Sequence, residues 1–346
     1  MSSAALRSLS IEVGVRAGTA VAVPLLVLWA FGRLDLTAYA TFGAFTALYG
    51  RNEPYRTRIR SVSVAGVALL LSIAAGIAIA AAGEPLWILV PALLLVVAGG
   101  TVLATTFQLL PAQPLFFVFA LLVCAAVPTP AAEIPLRFAV AVAAAVFSWV
   151  VTMSGWVPRR VARVARGSER LWFKDLRRRP VPDRSALRDP RVWLTVSQNV
   201  VGVLAAGSIA LAFGLGHVYW AVVSVVAVIP PARAAHSISR SLHRIVGTVV
   251  GVAFAAALLF WSPPSLFVIG VIVVCQVIAE TLVGRHYGAG LVFVTPLALS
   301  VSYLVNPAPI SGLVIDRVLE TALGAGVGLL LVLLARFVER SRRLVP

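Results

Sequence analysis

Apolar residues run along this chain in long blocks rather than in alternation. Twelve blocks stand out, near 11–31, 36–50, 61–82, 85–106, 113–129, 136–157, 193–215, 218–232, 244–262, 264–283, 288–304 and 314–337. A membrane-spanning helix needs about 20 mostly apolar residues. Most blocks meet that length, while the second and the eighth are short. A β-barrel would instead alternate in strands of about ten residues. The pattern predicts an all-α fold, a polytopic transmembrane bundle of about 12 helices.

Composition agrees with lipid as the solvent. Of 346 residues, 60% are hydrophobic and 12% charged, whereas a soluble domain carries about 25% charged residues. The net charge of +16 does not point to nucleic acid, because the basic residues sit between apolar blocks and not on a water-exposed domain. With the N-terminus inside, Arg51, Arg56, Arg58, Arg60, Arg233, Arg240, Arg244 and Arg285 all fall on the cytoplasmic side. So do the twelve basic residues between Arg159 and Arg191, and the tail residues Arg336, Arg340, Arg342 and Arg343. Arg33, Arg137 and Arg317 fall outside, facing Asp35, Glu84, Glu133 and Asp316. This asymmetry follows the positive-inside rule and predicts a multi-pass protein of the cytoplasmic membrane with both termini inside; the excess of arginine over lysine and the abundant alanine point to a bacterial source. The first block is not read as a cleaved signal peptide, since Glu12 and Arg16 intrude on its start and a counterpart recurs mid-chain.

The second half repeats the plan of the first about 180 residues later. "GRLDLTAYATFGAF" and "GLGHVYWAVVSVVAV" each precede a basic stretch, ending at Arg60 and Arg244, and then "SVSVAGVALLL" and "IVGTVVGVAFA". Tyr39-Ala40 corresponds to Trp220-Ala221, and Arg137 to Arg317. Six crossings per half give a parallel 6+6 repeat with an axis along the membrane normal. The expected units are a first repeat over 1–157, a basic linker over 158–192, and a second repeat over 193–346. The linker places Val161, Val164, Ala165, Trp172, Phe173 and Leu176 at loosely helical spacing. It reads equally as a helix on the anionic inner leaflet or as a solvated tether.

Tyr219-Trp220-Ala221, then a basic stretch, then Arg240, Arg244, Gly247, Thr248 and Gly251 resemble the fusaric acid resistance family, also called the aromatic acid exporters. The first half keeps Arg60 and Gly66 but lacks the Gly-Thr pair. The resemblance implies an integral membrane protein that expels aromatic or other weak organic acids. Plant malate channels look like distant relatives, and they imply paired six-helix bundles around an anion path lined by basic residues. The larger exporters carry soluble domains where this chain has its short linker.

The residues themselves suit an anion path. A carboxylate loses hydration on entering lipid, and arginines offset part of that cost. Arg60 and Arg244 form the expected pair at the inner mouth, with Trp220, Thr248, Gly247 and Gly251 as further pathway candidates; the two glycines read first as helix-packing positions. Arg16 pairs with Glu12 on the first helix, and Gln198 and Asn199 stand at the matching depth on the seventh. Glu280 either snorkels at the inner end of its helix or is the leading proton-coupling carboxylate, with Glu12 a second candidate. Asp316, Arg317 and Glu320 read as an outer ion-pair cluster. The expected partners are membrane lipid, a small organic anion and protons. The four histidines show no metal-ligand spacing, and "GAGVG" lies inside a spanning block without a preceding strand. No cofactor, metal, nucleic acid or enzymatic chemistry is expected. A passive anion channel and a non-transporting scaffold working through the linker remain the alternatives, and the oligomeric state is open.

Overall fold

A computed structural model of the chain describes residues 11–154, 178–232, 238–284, 286–305 and 310–344. It is all-helical, with twelve α-helices and no strand among the described residues. In chain order they are α1 (Ile11–Ala30), α2 (Thr37–Ala44), α3 (Tyr55–Ala81), α4 (Leu86–Thr106), α5 (Leu115–Ala125) and α6 (Ile134–Ser154). The second set is α7 (Pro190–Ala212), α8 (Tyr219–Val228), α9 (Ile238–Leu259), α10 (Ser265–Leu282), α11 (Tyr287–Val305) and α12 (Ile310–Leu344).

Nine helices among the described residues are long and apolar enough to cross a membrane. The expectation of twelve full spans is corrected at α2, α5 and α8, which have 8, 11 and 10 residues. Backbone chemistry explains each. Two 3₁₀ turns, Leu34–Leu36 and Phe45–Leu48, bracket α2. Prolines 111, 114, 128 and 130 bracket α5, and Pro230-Pro231 follow α8; proline cannot supply the helical N–H and restricts the residue before it. Broken helices persist at membrane depth only where protein covers them, and these three are covered. Every residue of α2 is buried, as is α8 from Trp220 to Val228.

The neighbours of each helix run in parallel through the chain. In the first half α2 packs on α6, α3 on α5 and α6, and α1 on α2 and α6. In the second half α8 packs on α12, α9 on α11 and α12, and α7 on α8 and α12. Contacts between halves are α1 with α10, α4 with α7, and centrally α5 with α8 and α2 with α11. The α1–α10 seam is close because Gly14 and Gly18 lie directly on Val277 and Thr281, a small-xxx-small approach of two backbones. One apolar core joins the halves, running from Leu25, Phe42 and Phe117 to Ile272, Cys275 and Leu299. Outside it, Phe31, Trp87, Phe213 and Phe260 are largely exposed, and these rings sit at helix ends, as in an interfacial aromatic belt.

The segment after α6 binds one end of the bundle, here the linker end. Arg178 pairs with Glu53 and donates to the Gln108 carbonyl, Arg60 donates to the Pro180 carbonyl, and the Asp183 N–H donates to the Thr106 carbonyl at 2.8 Å. Burial pushes the Glu53 carboxyl above its ordinary value, and the charge of Arg178 pulls it back. The apolar face expected between Val161 and Leu176 lies outside the described residues, as do Arg233, His236 and Arg285.

Candidate functional site

Each half holds one arginine near the start of its last helix, at the far end from the linker. Arg137, on α6, has all its nitrogens occupied. Its Nε and Nη2 donate to Glu133 at 3.0 and 2.8 Å. Its Nη1 donates to the Tyr39 hydroxyl, the Pro128 carbonyl and the Thr129 hydroxyl at 2.8, 2.9 and 2.6 Å. Arg33 stands nearby, bidentate on Asp35 and 3.8 Å from Glu133.

Arg317, on α12, is differently placed. It is 1% exposed and lies over the Trp220 ring, 3.5 Å from its centre. Trp220 stands where Tyr39 stands in the first half, but its indole offers no acceptor. The Nε and Nη1 atoms of Arg317 have no hydrogen-bond partner. Leaving a buried donor unmade costs about 1–3 kcal/mol, and more when it is charged. The acids expected to pair with Arg317 are engaged by His217: Asp316 meets its Nδ1 at 2.9 Å, and Glu320 accepts its backbone N–H at 2.7 Å. The outer cluster of the second half is therefore built on His217.

Further open polar atoms surround Arg317. Trp220 and Ser224 are one turn apart on α8, and neither the indole N–H nor the hydroxyl has a partner. Thr321 is one turn after Arg317 on α12, and its hydroxyl is also unpartnered. Thr248, on α9, is 1% exposed with its hydroxyl unpartnered, and Arg244 lies one turn before it. Residues four apart share a helix face, and α8, α9 and α12 touch one another. Gly324 seats the backbone of α12 on Ala221 and Ser224, where a Cβ would collide. Arg244 is 3% exposed, and its charge reaches Arg317.

The remaining expected residues fall in three places. Arg16 is buried and donates Nη2 to the Ala47 carbonyl at 3.1 Å and the Tyr49 carbonyl at 3.4 Å, with the charge of Glu12 within reach. Near it Glu280, which has no obvious partner in its own sequence neighbourhood, forms an ion pair with Arg51 across the two halves. Gln198 and Asn199 face the bundle interior: Gln198 donates to the Leu331 carbonyl at 3.3 Å and Asn199 to the Thr195 carbonyl at 2.9 Å. Gly247 and Gly251 seat α9 against α11, where a Cβ would meet Leu291 and Thr295 at 2.8 and 2.7 Å. Arg60 is held at the linker end by Pro180, in different surroundings from Arg244. Among the described residues no cluster of three His, Cys, Asp or Glu side chains could hold a metal ion.

Sequence reasoning passed over Arg51, Ser224 and Thr321 and placed Arg317 in an ion pair. The usable signal was the pair of hydroxyls one turn after Trp220 and Arg317, facing positions that are Gly43 and Ala141 in the first half.

Comparison with known proteins agrees with this second-half emphasis. Residues 204–331 match the family described as fusaric acid resistance protein-like. An uncharacterized membrane protein of Bacillus subtilis (strain 168), YvaC, is 33% identical over 129 residues, which are 37% of this chain and 20% of that protein. The match thus spans about a fifth of the length of the curated relative. No solved structure matches.

Proposed function

We propose that this chain, whose residues 204–331 carry the fusaric acid resistance protein-like module, moves small organic anions across a membrane. The observation that carries this reading is an excess of buried positive charge. Among the described residues five arginines are buried, Arg16, Arg58, Arg137, Arg244 and Arg317, against three glutamates, Glu53, Glu280 and Glu320. Their part-buried ion-pair partners add two arginines, Arg51 and Arg178, and one glutamate, Glu133. An apolar bundle stabilises such a surplus when an anion enters it, because buried charges are tolerated only when paired.

The family description names resistance to an organic acid, and efflux is the simplest route to resistance. The matching neighbours of α1–α6 and α7–α12 support a duplicated six-helix bundle, with residues 178–189 holding the linker end. Arg51, Arg58, Arg60 and Arg178 gather at that end, which favours a cytoplasmic linker by the positive-inside rule. A passive channel is favoured over proton coupling through Glu280 by one observation: that carboxylate is committed to Arg51.

The test is flux of labelled benzoate into lipid vesicles holding the full chain, with and without a proton gradient. Protein-dependent uptake that falls in Arg244→Ala, with insertion intact, supports the reading. Uptake indifferent to the gradient selects the channel. No uptake of benzoate or of a dicarboxylate such as malate by correctly inserted protein contradicts it.

A further inference from the structure

We propose that the second half binds one small monovalent anion between α8, α9 and α12, with Arg317 as its cationic anchor, and that the counterpart position around Arg137 binds none. The inference rests on the anion-transport reading and names its binding site.

The donors are already in place. Arg317 offers Nε and Nη1, Trp220 its indole N–H, and Ser224, Thr248 and Thr321 their hydroxyls, all buried and all without a partner. Buried polar groups are almost always hydrogen-bonded, so a run of six open atoms on three touching helices calls for a ligand. Every one of them donates a hydrogen bond, and one bears a full positive charge, so the ligand is an acceptor and an anion. A carboxylate suits one of these two guanidinium N–H groups, which lie on opposite edges, with its second oxygen left for the hydroxyls. Arg244 adds a second positive field from α9. The charge of Glu320 reaches Arg317, its Oε1 accepting from the His217 N–H and its Oε2 unpartnered. Asp316 is held away by the His217 ring.

The counterpart position around Arg137 is closed, whereas Arg16, elsewhere in the first half, also has Nε and Nη1 open. The Tyr39 hydroxyl accepts from Arg137, where Trp220 offers only a ring face to Arg317. Gly43 stands where Ser224 stands and Ala141 where Thr321 stands, and these two close on each other, with the Gly43 backbone on the Ala141 carbonyl. Arg137 spends its nitrogens on Glu133, Tyr39, Thr129 and Pro128. The counterpart position is a filled polar network with no donor to spare.

Two kinds of anion share this chemistry, an organic carboxylate and an inorganic oxyanion, and the probes separate them: benzoate and nitrate. The full chain in detergent is heated with each probe, and vesicles report benzoate KM. Wild type is expected to melt higher with benzoate than without. Arg317→Gln abolishes that rise and increases KM at least tenfold. Ser224→Ala and Thr321→Ala, which preserve the fold, each weaken benzoate by about fivefold, the share of one neutral hydrogen bond. Arg137→Gln lowers melting but keeps the benzoate-induced rise and the KM. A rise with nitrate as large as that with benzoate assigns the site to anions in general. The proposal is overturned if the benzoate response survives in Arg317→Gln, or if the two alanine variants and Arg137→Gln respond alike. If wild type carries no benzoate yet its melting rise disappears in Arg317→Gln, the site stands and the transport reading falls. Absence of any rise with either probe overturns the site, whatever the flux.

Discussion

Arg137, near the start of α6, and Arg317, near the start of α12, do opposite things. Arg137 ties α6 to α2 and to the turn before it, through hydrogen bonds to Glu133, Tyr39, Pro128 and Thr129. Arg317 rests on an aromatic face with two nitrogens open. Part of the difference lies in the helix opposite: a tyrosine supplies an acceptor, a tryptophan only a quadrupole. That exchange, with the loss of the Glu133, Pro128 and Thr129 acceptors, separates a rivet from a candidate binding group.

The sharpest way to break this comparison is to remove both cations in turn. Arg137→Gln removes the bonds to Glu133, Tyr39, Pro128 and Thr129, and the expected cost is about 2–3 kcal/mol in unfolding. Arg317→Gln is expected to cost less stability than Arg137→Gln, since no hydrogen bond of its Nε or Nη1 is lost, while abolishing anion uptake. Equal stability losses in chemical denaturation would end the distinction.

Packing should treat the halves alike, which makes it a control. Gly43→Ala presses on the Ala141 carbonyl and Gly324→Ala on the Ala221 carbonyl. Each is expected to cost about 1–3 kcal/mol by overpacking, measured as a fall in melting temperature, with Gly324→Ala also disturbing Ser224.

Exchanging the aromatic partners sharpens the contrast at smaller scale. Tyr39→Phe removes one acceptor from Arg137, about 1 kcal/mol. Trp220→Tyr offers Arg317 an internal acceptor, and the expected outcome is unchanged or higher stability with several-fold weaker benzoate binding in the same melting assay.

The smallest effect belongs to the exposed pair beside Arg137. The Arg33 guanidinium, bonded to Asp35, holds that carboxyl below its ordinary value. The folded value is lowered, so the contribution is present above the ordinary aspartate range and is lost as pH falls through the folded value. Because both side chains are well exposed, Asp35→Asn should change stability by about 0.5 kcal/mol or less, with wild type and variant converging on acidification.

Much of the fold was legible because hydropathy over 20 residues is a local property. All twelve helices appear as apolar blocks. The truncation of α5 to Leu115–Ala125 was less visible, since Ala126 and Val127 continue the apolar run and only Pro128 and Pro130 betray the break. The site was legible in part. Trp220, Arg244 and Thr248 belong to one sequence motif and drew attention together. Thr321 and Ser224 did not, because each is an ordinary hydroxyl in an apolar helix until α8 and α12 meet. The Arg51–Glu280 pair joins residues 229 apart, a relation that no helical periodicity can express.

The most direct measurement is an experimental structure of the full chain in lipid with 4-iodobenzoate, locating iodine by its anomalous or density signal. The account expects a single ligand in the second half, its carboxylate on the Arg317 guanidinium at Nε or Nη1 and within reach of Ser224 and Thr321. A ligand lodged against Arg137 and Tyr39, or at Arg60 beside Pro180, with Arg317 left bare, would contradict it.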